Sequence, residues 1–139
     1  MKKLLLITVC FLALAGCKQE KTVPLELNQM QNDSLQKIID QRDNEINDMM
    51  ATLNQIQEGF RLITEAENRV SVVKDGEGSN KTEQIKNNIR FIQSRMQENR
   101  ELIDKLRKQL RESTFKSEEL KRTLDGLVKQ LDDKDKELA

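Results

Sequence analysis

The chain has 139 residues, with one Pro, five Gly, no Trp, no Tyr and no His, and it is 35% charged and 36% apolar. A globular domain of this length normally carries more aromatic and apolar residues, so helices packed along a narrow seam are indicated instead. The formal net charge is zero, and the signs mix at short range, which excludes the one-sided basic surplus of a nucleic-acid binder.

The chain opens on a basic triplet, Met1-Lys2-Lys3, followed by 12 residues from Leu4 to Ala15 whose one polar member is Thr8. Twelve helical residues cover about 18 Å, too little for the ~30 Å hydrocarbon core of a bilayer. Length and flanks therefore predict a cleaved export signal over residues 1–16. Both cysteines, Cys10 and Cys17, lie in or beside this run, so no disulfide framework is expected.

Leu14-Ala15-Gly16-Cys17 resembles the lipobox of bacterial lipoproteins. The resemblance implies cleavage between Gly16 and Cys17, with covalent diacylglycerol and fatty acyl chains on the Cys17 thiol and amine and no other cofactor. Each buried methylene contributes ~0.8 kcal/mol, so two or three acyl chains hold firmly to a lipid bilayer where one does not. Cys10 would leave with the signal. Lys18 stands where many lipoproteins carry the Asp that retains them at the inner membrane. An exported, outer-membrane lipoprotein is expected, facing either the periplasm or the surface. Without Lys2 and Lys3 the balance is 22 basic against 24 acidic residues.

Residues 17–27 read as the lipidated Cys and a polar tether, with Pro24 suited to the first turn of a helix. A first coiled-coil arm is predicted over 28–74. Its seam runs Leu35, Ile39, Arg42, Ile46, Met49, Leu53, Ile56, Phe60, Ile63, Glu67, Val70, Lys74, nine of 12 apolar. Gly59 costs about 1 kcal/mol relative to Ala and reads as a weak spot in this arm. Met30, Met49 and Met50 read as gap-filling core residues.

Lys74-Asp75-Gly76-Glu77-Gly78-Ser79-Asn80 is a turn-like cluster, giving a predicted turn over 75–81. Gly76 suits the position past a helix end, and Asn80 with Glu83 reads as a cap and its return contact. The cluster lacks the spacing of a calcium loop and the flanks of a phosphate loop.

The second arm is predicted as one helix over 82–139. Its seam is Ile85, Ile89, Ile92, Met96, Asn99, Ile103, Leu106, Leu110, Ser113, Ser117, Leu120, Leu124, Leu127, Leu131, Lys134, Leu138, with 12 of 16 apolar and no break in spacing. Gly126 falls on the outer face. The last residues stay in phase with no capping Gly or Pro, which predicts a coil that continues past Ala139 or a chain that is part of a longer one. The fold class is thus all-α, a long antiparallel helical hairpin of coiled-coil type after a lipoprotein signal peptide. A register in which facing residue numbers sum to 159 pairs Ile63 with Met96, Ile56 with Ile103, Met49 with Leu110, Arg42 with Ser117 and Leu35 with Leu124. It also sets Phe60 against Asn99. Parallel self-association into a homo-oligomer is the other arrangement open to these seams.

The stretches Leu14 to Cys17, Gln31-Asn32-Asp33-Ser34-Leu35, Arg42 to Met50, Asn54 to Glu58 and the Lys/Leu-rich heptads to Glu137 resemble the coiled-coil lipoproteins of Bacteroidota known as collagen-binding glycoprotein adhesins. That resemblance implies an extracellular-matrix partner such as collagen. It also implies an O-glycosylation acceptor at Ser34, since Asp33-Ser34-Leu35 is similar to the acceptor motif of these bacteria. From the residues alone, Asp33 or Ser34 also suits a helix cap.

Without His, Tyr or a retained thiol, nucleophile–base pairs and His or Cys metal sites are missing, so no catalytic or metal-binding residue and no enzyme activity is expected. The carboxylate pairs Glu118-Glu119 and Asp132-Asp133 would lie hydrated on a helix face, without the pocket that acid–base work needs. Two functions stay open: a membrane-anchored binding protein, as a host-matrix adhesin, and a structural spacer or assembly scaffold with a coiled-coil partner inside the envelope.

Overall fold

A computed structural model describes residues 25–76 and 78–139. Three helices follow one another: α1 over Leu25–Asp75, α2 over Lys81–Glu112 and α3 over Glu118–Leu138. The chain divides into two compact units, Met1–Lys37 and Ile38–Ala139. The described part of the first unit is helical, and every residue of it is exposed, including Leu25, Leu27, Met30 and Leu35. Residues 25–27, expected in the tether, are already helical. The signal peptide, Cys17 and the rest of the tether lie outside the described residues.

In the second unit the all-helical hairpin is present. From Met49 on, the seam of α1 faces the seam of α2, and the core holds Met49, Ile56, Ile63, Ile92, Met96, Ile103 and Leu106. Cross-helix contacts fix the register. The Asn99 amide donates to the Ile56 carbonyl (3.2 Å), Thr52 Oγ1 meets Gln109 Oε1 (3.1 Å), and Glu45 takes two hydrogen bonds from Thr114. These pairs fall close to the expected sum of 159. Asn99, however, sits over Gly59 and not Phe60.

The connection at the head of the hairpin is tight. The Gly76 amide donates to the Val72 carbonyl at 3.1 Å, closing α1, and the Gln84 amide donates to Asn80 at 3.1 Å, opening α2. Gly76 does stand just past the helix end, but no described glycine has a positive φ. Asn80 occupies the cap position without a side-chain cap hydrogen bond, so the expected Asn80–Glu83 capping box does not form.

The second arm departs from the single helix expected over 82–139. It ends at Glu112, passes through an extended elbow at residues 113–117 and starts again at Glu118. Helix α3 then packs back against α2. Arg107 reaches Asp125 (2.5 Å), while Arg100 reaches Asp132 (2.9 Å) and Asp135 (2.5 Å). Lys134 of α3 also reaches Glu67 of α1 (2.6 Å). These pairs run α3 antiparallel to α2 and parallel to the later part of α1, an up-down-up arrangement. The outermost pairs of the expected register, Arg42 with Ser117 and Leu35 with Leu124, fall away as a result, and Leu124 and Leu131 instead become fully buried members of the common core.

Candidate functional site

The four polar positions of the second seam account for most of the difference between expectation and structure. Asn99 is 1% exposed and needs the glycine opposite it. A Cβ at position 59 would lie 2.0 Å from Asn99 Oδ1 and 2.7 Å from its Cγ, inside any tolerated contact. Gly59 is therefore the socket for Asn99 and not merely a weak spot. Its neighbours at heptad spacing, Thr52 and Ala66, are small and buried too. The column Thr52, Gly59, Ala66 lets α2 approach closely, and this seven-residue repeat of small side chains is a signal the apolar seam alone does not carry. The Asn99 Oδ1 accepts no hydrogen bond among the described residues, which costs about 1–3 kcal/mol in a buried site.

Ser113 and Ser117 build the elbow. The Ser113 hydroxyl donates to the Phe115 carbonyl (2.6 Å), and its amide donates to Gln109 (2.9 Å), closing α2. The Ser117 hydroxyl accepts from the Leu120 amide (3.1 Å) and caps α3. Glu118 and Glu119 follow in the first turn, where carboxylates favour the positive end of the helix dipole. The legible signal for a helix start was therefore Ser117-Glu118-Glu119, which the unbroken seam spacing masks. The fourth polar position, Lys134, meets Glu67, the polar residue of the first seam, and each neutralises the other at half-buried depth.

Helix α1 braces the elbow from the side. Glu45 Oε2 accepts from both the amide (3.0 Å) and the hydroxyl (3.1 Å) of Thr114. The Thr114 amide is the main cause of a Glu45 pKa below the usual glutamate range, helped by the Gln41 side chain and opposed by desolvation. Next to this brace α2 and α3 leave a cleft of about 530 Å³. Leu110 and Leu124 form its floor, and four basic residues, Arg107, Arg111, Lys116 and Lys121, line it with Ser117 and two acidic ones, Glu118 and Asp125. Asp125 pairs with Arg107, and the Lys116 ammonium donates to the Arg111 carbonyl (2.8 Å). Arg111, Lys116 and Lys121 have no carboxylate partner among the described residues.

The face of α1 beside the elbow is apolar and open. Ile38 (49%), Ile39 (50%), Ile46 (36%) and Met50 (51%) are exposed, although Ile39 and Ile46 hold the seam phase that is buried from Met49 onward. Met49 is the core residue expected, whereas Met30 and Met50 are not.

Of the predicted site residues, Gly16 and Cys17 lie outside the described residues. Ser34 lies on an exposed face of α1. Because α1 begins at Leu25, Asp33 and Ser34 stand inside the helix, and neither caps it. Glu118 and Glu119 act at a helix start, while Asp132 and Asp133 bind Arg100 and Lys136. Among the described residues no group of His, Cys, Asp and Glu is placed to hold a metal ion, and no helix is long and apolar enough to cross a membrane. The fold and site define an all-helical hairpin with a third helix folded back on it. No family model, curated protein or solved structure matches the chain.

Proposed function

We propose that the chain is a membrane-anchored lipoprotein acting as a non-enzymatic binding protein, cut after Gly16 and held in the outer membrane by acyl chains on Cys17. The observation that carries this reading is the coincidence of Lys2-Lys3, the apolar run to Ala15, and Ala15-Gly16-Cys17 directly ahead of a polar stretch. The helical part presents exposed apolar side chains on α1, Leu25, Leu27 and Met30 among them, suited to a protein partner. By resemblance the partner is an extracellular-matrix protein such as collagen, and Ser34, exposed on α1, is the O-glycosylation acceptor.

Labelling of growing cells with a palmitate analogue tests the anchor. The wild-type chain takes up label, Cys17→Ala does not, and label retained by Cys17→Ala removes the reading. Protease treatment of intact cells then separates surface from periplasm, and solid-phase binding to collagen tests the ligand. A chain fully protected from protease and indifferent to collagen favours the second reading, an assembly scaffold within the envelope. That reading has its own support in the open seam face at Ile39 and Ile46, which suits a helical partner.

A further inference from the structure

The two surfaces beside the elbow are opposite in charge. The stretch from Ile38 to Met50 carries Asp40, Asp43, Glu45 and Asp48 against Arg42 alone. Residues 107–122 carry six basic side chains against three acidic ones. The first surface offers the apolar residues Ile38, Ile39, Ile46 and Met50, and the second offers a cleft floored by Leu110 and Leu124. Both lie at the same end of the unit Ile38–Ala139, on either side of the Glu45–Thr114 contact.

We propose that a second copy of this chain docks here, the 38–50 face of each copy lying in the elbow cleft of the other. An acidic amphipathic helix face and a basic-rimmed apolar cleft are complementary, whereas either surface placed against its own kind would repel. Because one copy carries both surfaces at one end, a two-fold axis brings two complementary pairs together at once and closes the assembly as a dimer. Arg111, Lys116 and Lys121, which have no carboxylate partner among the described residues, meet the acidic 38–50 face of the second copy. The inference does not depend on the membrane anchor.

Sedimentation equilibrium of the purified 139-residue chain tests it, from micromolar to near-millimolar protein and at low and high salt. The expected mass is that of two chains, falling toward one as salt rises. Arg111→Glu with Lys121→Glu gives a monomer, and so does Asp40→Lys with Asp43→Lys, each with the wild-type helical circular dichroism because all four residues are exposed. Mixing the two monomeric variants restores a dimer, since both contacts of the mixed pair are again between opposite charges. A wild-type chain that stays monomeric, a self-association that ignores both reversals, or a mixture that stays monomeric overturns the proposal. Should either double variant lose helicity, Ile39→Ser, a neutral change at an exposed site, replaces it and must weaken the dimer.

Discussion

The α1–α2 and α2–α3 interfaces join the same helix to two neighbours by different means. Against α1, helix α2 relies on shape: Asn99 enters the socket over Gly59, between the small side chains of Thr52 and Ala66. Against α3 it relies on charge: Arg100 and Arg107, seven residues apart, meet Asp132, Asp135 and Asp125. Shape fixes register because a shift along the helix puts a side chain where only a glycine fits. Charge fixes direction, because only the folded-back α3 sets its aspartates level with those arginines. What the two interfaces share is the apolar core beneath, which supplies most of the stability and little of the choice.

The largest expected effect removes part of that shared core. Leu124 is fully buried, so Leu124→Ala costs about 2–5 kcal/mol by lost transfer and cavity terms. Amide hydrogen exchange should then show α3 opening before the α1–α2 hairpin. Uniform loss of protection across all three helices would mean that the two interfaces are one cooperative unit.

Next is the socket itself. Gly59→Ala raises helix propensity by about 1 kcal/mol, yet it should destabilise by a net ~1–3 kcal/mol because the new methyl collides with a buried Asn99. Combining it with Asn99→Ala should recover most of the loss, with a coupling of about 0.5–3 kcal/mol in a double-mutant cycle by urea unfolding. Additive effects would show that Gly59 and Asn99 do not act as a pair.

Smaller again is the charge interface. Arg100 is 28% exposed and its aspartate partners more than half exposed, so Arg100→Gln should cost only ~0.2–1 kcal/mol at low salt and less at high salt. An effect that persists at high salt would point to packing by the arginine stem instead.

The smallest effect is the Glu45 brace. Its folded-state pKa lies below the usual value, chiefly through the Thr114 amide, so its contribution is present above the usual glutamate range. That contribution is lost as pH falls through the lowered value. Glu45→Gln should leave stability in strong acid nearly unchanged and lower it near neutrality. Thermal melts across that range would show the wild-type and variant curves converging as pH falls; parallel curves would remove the brace.

The second seam was legible as far as burial goes. Every position of the second seam, from Ile85 to Leu138, is buried or half-buried, and Gly126 faces open space as its outer position requires. The candidate site was much less legible. Arg111, Lys116 and Lys121 read as ordinary surface charges, since their convergence depends on the elbow. The elbow was hidden because Ser113 and Ser117 keep the seven-residue phase while also serving as helix terminators. The open face at Ile39 and Ile46 was hidden for the same reason, because a continuous second arm would have covered it.

By itself the sequence determined that the fold is helical, which stripe of the second arm is buried and where the first reversal falls, because these follow from local period and turn chemistry. It also carries the lipobox-like residues up to Cys17, which are the basis of the proposed anchor. Only the tertiary structure decided that the second arm folds back, that Gly59 serves Asn99, and that Lys134 answers Glu67. A heptad stripe records that a face is buried and not what buries it, so a straight arm and a folded one satisfy the same spacing. The choice between them rests on contacts between residues distant in sequence, the burial of Leu124 and Leu131 in the common core together with Arg107 on Asp125 and Arg100 on Asp132 and Asp135, whose energies exist only once the helices have met.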